Sequence, residues 1–392
     1  MTEFDDISDS DYEAVGYLLT DSCEKYPDYR LLSQRFAELY DANINFNSGL
    51  YGDLRGSCFV INYIDDRYAL EGEKLEQEAC ALLLDCLLSP KAVNGVFDAD
   101  VTRIVSSEIV DAISAKINDK RWYASQRSAL TAYVGEPQSR PIEGTLEQAR
   151  AITPESAWRA YRNMLERGHI EIIAAGCSDF SECERMFAEA FARIDRHDVY
   201  PLQAPKPSPL KPEAVSVTDE IPMQQAILRI YFKLPEQTDR FAFALMNLVL
   251  GGMTMSRFFR NIREKQSLCY YCSSGMARLK KTFYVAAGVE PANIEKTKQA
   301  VFAEIADVCE NGITEEELQF ARLESINSVT SIYDNPNAVA AWHFQELLEE
   351  RPCTPEEYIA EIGAVTPERV RAVCRQLKLD TVYVLEAGEE QE

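Results

Sequence analysis

The chain of 392 residues is 46% hydrophobic and 27% charged, an ordinary globular composition with material for two or three domain cores. Lys plus Arg number 40 against 64 Asp plus Glu, and a net charge of −24 repels phosphate backbones and anionic membranes while favouring cationic partners. Nucleic acid is therefore not an expected partner. No stretch approaches 18 uninterrupted apolar residues, so no membrane-spanning helix is expected.

The opening MTEFDDISDSDY is acidic and lacks a basic region followed by an apolar run, which reads as a soluble, unexported chain. Eleven cysteines is an odd number, and they lie in periodic apolar segments such as EACALLLDCLL rather than in a loop-rich framework. That usage points to a reducing cytoplasm. Tyr12 to Leu19 reads as a helix, and Leu32, Phe36 and Leu39 mark another. Residues 42 to 47 alternate with period two and 58 to 64 continue as a second strand, after which long helices follow. The segment IEIIAAG, 170 to 176, is expected to be a strand ending at glycine. YPLQAPKPSPLKPEA, 200 to 214, holds five prolines and cannot be helix interior or central strand, so the chain divides into 1–199, a linker 200–214, and 215–392. Beyond it, 225 to 235 reads as a strand, FAFALMNLVLGG as a buried helix stopped by Gly251 and Gly252, SLCYYCSSG and TFYVAAGVE as strands, and 293 to 376 as helices.

The halves echo each other. AITPESAWRAYRNML…IEIIAAG is matched by AVTPERVRAVCRQL…TVYVLEAG, displaced by 213 residues at Thr153/Thr366, each with a Thr N-cap and Pro at the first helical position. FDADVTRIVSSEI aligns with ITEEELQFARLESI, matching Glu108 to Glu324 at a 216-residue offset. Two pairs in the same order indicate an internal duplication. The fold class expected is α+β: two tandem units, each a mostly antiparallel sheet packed with helices, closing like a clamshell on a cleft suited to an extended peptide.

In REKQSLCYY, Arg263 precedes Tyr270 by seven residues at the join of a helix and a strand. Spacing alone favours the plainer reading, in which an Arg at a helix C-terminus complements the dipole and alternation sends Tyr270 and Tyr271 to opposite faces, one of them a core aromatic. LGGMTMSRFFRNIREKQSLCYY resembles the C-terminal half of the pitrilysin and insulinase metallopeptidases. YPDYRLLSQRFAELYDANIN, the helix around Glu108 and ITPESAWRAYRNML resemble the first half of the same family, closest to a bacterial subgroup lacking metal ligands. The resemblance implies a divided peptidase site, with an inverted His-x-x-Glu-His zinc motif on an early helix and an Arg and Tyr from the companion half holding the substrate carbonyl. Arg263 and Tyr270 match that second contribution. A tetrahedral oxyanion is stabilised by preorganised donors, here a permanent guanidinium charge and a phenolic hydroxyl.

The zinc half is missing. A helix-borne site needs two histidines four residues apart, and His169, His197 and His343 cannot supply them. The helix at 12 to 19 offers Glu13 alone, and Glu108, near where the family places a third ligand, reads as a solvated helix residue. The family usually has an edge strand or two ahead of that helix, whereas this chain reaches EKYPD by residue 24, through a naturally shorter N-terminus or a late start codon. Part of the first sheet's edge is expected to be missing, and such an edge invites pairing, as in a homodimer of the isolated chain. Cys269 and Cys272 form C-x-x-C on a predicted strand, where positions three apart point to opposite faces, and Gly251-Gly252 is not a phosphate loop.

The resemblance thus implies no metal or cofactor in this chain. It implies a zinc-bearing homologous partner in a heterodimer, a peptide substrate, and Arg263 and Tyr270 lent to the partner's site. The alternative is a stand-alone peptide-binding or scaffolding protein. A third reading, a zinc peptidase with dispersed ligands, is tested by metal analysis.

Overall fold

The computed structural model describes residues 1–176, 179–202 and 205–388. It is a mixed helix and sheet structure of two compact units, the first comprising 1–118 and 140–203 and the second 119–139 and 204–392. The sequence reading placed one break at 200–214. The structure adds an exchange, because 119–139 leaves the first half and packs with the second unit.

The first unit contains α1 (Asp9–Asp21), α2 (Tyr29–Glu38), β1 (Asn43–Tyr51), β2 (Leu54–Asn62), α3 (Leu75–Leu88), the two-residue strands β3 (Ala92–Val93) and β4 (Val96–Phe97), and α4 (Ala99–Asn118). After α5 (Lys120–Ala132), which belongs to the second unit, it resumes with α6 (Leu146–Arg150), α7 (Pro154–Arg167) and α8 (Ser181–Phe191). β1 and β2 pair antiparallel as the alternation predicts. One core joins α1, α4 and α7 through Val15, Leu19, Ile109 and Tyr161; another joins α2, α3 and α8 through Leu32, Leu82 and Phe187. Gly16 lets α1 lie close on β1, since a Cβ there would fall 2.2 Å from the Phe46 ring. Arg55, 1% exposed, holds Asp9, which also accepts from Arg140 Nε at 2.9 Å.

The Thr-Pro signals are helix starts as read. The Thr153 hydroxyl accepts from Ser156 N at 3.1 Å at the head of α7, and Thr366 caps α14 (Pro367–Cys374) in the second unit. The strand expected after the first of these is not formed. Residues 170 to 176 lie outside any ladder among the described residues, Ile172 is exposed, and the backbone exchange recorded nearby is between His169 and Met1. Without a neighbouring strand to take up its amides, an apolar alternating segment does not become a strand. Its counterpart is a strand because two neighbours flank it.

That counterpart, β9 (Lys378–Ala387), lies in a five-stranded sheet with β5 (Val215–Ile221), β6 (Ala226–Lys233), β7 (Cys269–Ala277) and β8 (Thr282–Val289), in the order β5-β9-β6-β8-β7. Only β5 and β9 run parallel, and β5 was not anticipated from the sequence. One face is covered by α9 (Arg240–Asn247), α10 (Ile294–Asn311) and α14, packed through Leu228, Ile230, Phe243, Val285, Val301 and Val370. α5 packs on the other face, with Ala124 against Ile227, Tyr383 and Leu385. Covered on both faces, β6 is buried at almost every position, which is why its sequence is apolar without alternation. α11 (Glu315–Thr330), α12 (Pro336–Glu346) and α13 (Pro355–Gly363) complete the predicted helical run. No helix among the described residues is long and apolar enough to cross a membrane.

Candidate functional site

Arg263 sits in Phe258–Lys265, a helical segment wound in wide π-type turns, a winding that recurs at functional sites. Phe258 and Ile262 are fully buried and pin its inner side. The segment is anchored at its head by Arg257, which is 7% exposed. Its Nε and Nη2 donate to the two carboxylate oxygens of Glu317 at 2.8 and 2.9 Å, and its Nη1 donates to Asp307. This bidentate, partly desolvated pairing fixes the segment in orientation as well as position. Ser267, with φ of 52°, then turns the chain out of the helix, its N–H donating to Arg263 O at 3.1 Å.

The Arg263 side chain faces outward, 43% exposed, with Nε 3.7 Å from Glu264 Oε1 and the guanidinium 4.8 Å from the centre of the Phe259 ring. It holds no buried partner there, so the charge is free to meet another group. Tyr270 is half exposed, and its hydroxyl donates to Glu290 Oε1 at 3.0 Å. The Glu290 carboxylate pushes the phenol's pKa up. The recorded partners of Arg263 and Tyr270 differ, and the fold places the two on adjoining elements without a contact between them among the described interactions.

A bulge governs what β7 presents. Cys269 pairs with Val289, Tyr271 with Gly288 and Cys272 with Ala287, so Tyr270 is the extra residue with no partner on β8. Val289 and Ala287 share the fully buried face of the sheet, and Cys269 and Cys272 therefore share it too. This corrects the expectation that the two thiols point apart: strict alternation fails where one residue is inserted. The Cys272 thiol hydrogen-bonds to Cys269 and holds its pKa below the ordinary thiol range against the opposing effect of burial, and the Arg263 charge adds to the lowering.

Tyr271 points to the opposite face. Its ring lies flat on Gly288, where a Cβ would fall 2.3 Å from it, and beneath the Arg121 guanidinium at 4.4 Å from the ring centre. Tyr284 lies on Gly275 in the same way, and Arg229 reaches over Tyr284 at 5.1 Å while donating to the Tyr231 hydroxyl at 3.0 Å. This tyrosine and arginine face escaped the sequence reading. Its signal was two glycines inside strands opposite tyrosines on the neighbouring strand, the pattern of rings lying over bare backbone.

In the first unit, α1, the helix on which the sequence resemblance would place a metal motif, carries Glu13 and Tyr17 four residues apart. Glu13 is 7% exposed, and one of its carboxylate oxygens has no hydrogen-bond partner. Burial pushes its pKa to about 7, the Ser48 hydrogen bond opposing, Glu143 adding and Lys116 opposing. Burial, then the charges of Glu13, Glu108 and Glu143, raise the Tyr17 phenol, so these groups share one neighbourhood. Glu108 is exposed, as the sequence suggested. The donor set does not fit the zinc motif: it offers a phenol and carboxyl groups, the buried one with its pKa raised to about 7, and no imidazole. His169 is paired with Glu171 at 2.6 Å after α7, and His343 lies on α12 in the other unit. Among the described residues no group of three His, Cys, Asp or Glu is placed to hold a metal ion.

Comparison with known proteins agrees with this picture. Residues 151–324 match the family model described as Peptidase M16 inactive domain. A Bacillus subtilis protein described as "Probable inactive metalloprotease YmfF" is 22% identical over 379 residues, covering 96% of this chain and 88% of that protein. A Streptomyces coelicolor protein described as an uncharacterized zinc protease is 27% identical over 296 residues, covering 71% of this chain and 62% of that protein. Among solved structures, a peptidase M16 inactive domain from Pseudomonas fluorescens superposes with a TM-score of 0.75 at 20% identity, covering 97% of this chain and 89% of that one.

Proposed function

We propose that this chain, which matches the inactive-domain model of the M16 peptidases over residues 151–324, is an inactive homologue of that family and serves as the zinc-less subunit of a two-chain peptidase. It binds the peptide and presents Arg263 and Tyr270 to a site whose metal belongs to a homologous partner carrying an intact His-x-x-Glu-His. The observation that carries this reading is the outward Arg263, paired only loosely with the exposed Glu264, on a segment whose orientation is fixed by the buried Arg257 pairing, in a chain whose α1 has no imidazole. A structural arginine would be found in a pairing like that of Arg257. In the proposed reaction the partner breaks the bond, while the Arg263 guanidinium and the Tyr270 hydroxyl donate to the carbonyl oxygen as negative charge develops on it. Glu290 accepts from the Tyr270 hydroxyl meanwhile, and substrate must take that hydroxyl from it. Assays on oligopeptides after co-expression with such a partner should show turnover falling about 10²- to 10³-fold for Arg263→Ala. Equal turnover by wild type and variant would refute the role.

A second reading, peptide binding without catalysis, draws on one observation. β7 is the outermost strand of its sheet, so its far edge can take an extended peptide through backbone hydrogen bonds, and −24 favours basic segments. Micromolar binding of basic peptides by the isolated chain, unchanged by Arg263→Ala and with no partner recovered by pull-down, would favour it.

A further inference from the structure

Ten cysteines lie among the described residues, and none is in a disulfide. Eight of the ten are nonetheless arranged as four thiol pairs. Cys80 and Cys183 are 3.4 Å apart and Cys309 and Cys374 are 3.5 Å apart, while Cys23 meets Cys86 and Cys269 meets Cys272. At the neighbour density of a packed interior, ten cysteines dispersed over a chain of this length give about one such pair by chance. The excess calls for a reason beyond the use of cysteine as a small apolar residue.

Three of the four pairs join segments far apart in sequence. Cys80 and Cys86 both lie on α3; the first meets Cys183 on α8, and the second meets Cys23 in the α1–α2 connection, itself laced to the end of α3 by Glu24 N to Ser89 O at 2.9 Å. Cys309 on α10 meets Cys374 on α14. Packed helices bring Cα atoms within the span a disulfide needs. The fourth pair differs. Cys269 and Cys272 flank the β7 bulge opposite Val289 and Ala287, two residues apart on one strand, so their Cα atoms lie about 7 Å apart, at the outer limit of that span, and this pair stands outside the framework.

We propose that the chain carries a latent disulfide framework, with Cys309–Cys374 closing across α10 and α14, and Cys80–Cys183 and Cys23–Cys86 fastening α3, on exposure to a small-molecule disulfide. The order of closure follows access. Cys309 is partly exposed, so its thiolate attacks the oxidant's S–S bond, forms a mixed disulfide and releases one thiol. The Cys374 thiol, itself buried, gives up its proton to solvent when the end of α14 opens locally, and its sulfur attacks Cys309 Sγ, expelling the second oxidant thiolate, which takes up a proton. Two protein thiols and one disulfide thus become one protein disulfide and two small thiols. Cys23, Cys80, Cys86 and Cys183 are buried, and their pairs close only as fast as α3 or α8 opens locally. Cys58, exposed, and Cys353, whose sulfur accepts from Arg240 at 2.6 Å, meet no thiol among the described residues and end as mixed disulfides.

The test is to incubate the purified full chain with oxidised glutathione, block remaining thiols under denaturing conditions, and map linked peptides by mass spectrometry. The expected result is Cys309–Cys374 as the first protein disulfide, then Cys80–Cys183 and Cys23–Cys86, with glutathione retained on Cys58 and Cys353. Closing the 65-residue separation of Cys309 and Cys374 should also raise Tm by about 10 °C, and Cys374→Ala should remove that rise and leave glutathione on Cys309. Glutathione remaining on Cys309 of the wild-type chain, or links scrambled among all cysteines, would overturn the proposal.

Discussion

Glu13→Gln isolates what burial does to the helix that would carry a metal motif. Below pH 4.5 the folded and unfolded chains both hold the Glu13 proton. Between pH 4.5 and about 7 the unfolded chain has lost it while the folded chain keeps it, so stability falls as pH rises through that window and the loss is complete above about 7. A rise from 4.5 to about 7 at 1.36 kcal/mol per pH unit amounts to about 3 kcal/mol. Gln keeps the shape and stays neutral at every pH. It should therefore leave stability unchanged near pH 4.5 and raise it by up to about 3 kcal/mol at pH 8, or about 6–12 °C in Tm for a unit of this size. Urea midpoints for both proteins from pH 4.5 to 8 read this directly, with Lys116, Glu143, Tyr17 and Glu108 unaltered as the other ionisable groups facing the site. A difference independent of pH, or a variant less stable at pH 8, would show that Glu13 is held as a carboxylate and refute the reasoning.

Other consequences are equally direct. Asp9→Ala removes the carboxylate shared by Arg55 and Arg140 and leaves a guanidinium that is 1% exposed without its hydrogen-bonded carboxylate; urea unfolding should register a loss of about 3–5 kcal/mol. Gly288→Ala drives a methyl into the Tyr271 ring and should destabilise the chain by about 1–3 kcal/mol, with Tyr271→Ala in the same background recovering part of the loss. Thr153→Ala deletes the α7 cap and should lose about 1 kcal/mol, seen as a lower urea midpoint. Arg263→Ala, with its side chain outward and no buried partner, should change stability by less than about 0.5 kcal/mol, so any loss of partnered activity reports on function.

Much of this was legible in the residues. Caps such as Thr153 and Thr366 act through bonds within four residues, and the β1–β2 alternation follows from which face is buried, so local sequence suffices for both. The place of Arg263 at a helix end was legible for the same reason, while the outward direction of its side chain was not read. What escaped depended on the register or proximity of distant segments. The bulge that isolates Tyr270 and turns Cys269 and Cys272 to one face exists only relative to β8. The strand expected at 170–176 failed for want of a neighbour, while its copy at β9 gained two. Arg121 reaches Tyr271 because 119–139 crosses to the other unit, and nothing in that segment's composition announces the exchange. Glu13 was recognisable as a lone carboxyl, but its raised pKa comes from burial by the packed unit and from Glu143, far along the chain, against the opposing Ser48 hydrogen bond.

The account's central claim is that this chain by itself does not activate water for peptide hydrolysis. Purified alone, loaded with zinc and dialysed, it should retain no stoichiometric metal and cleave no oligopeptide. Zinc retained at one equivalent together with chelator-sensitive cleavage would contradict it.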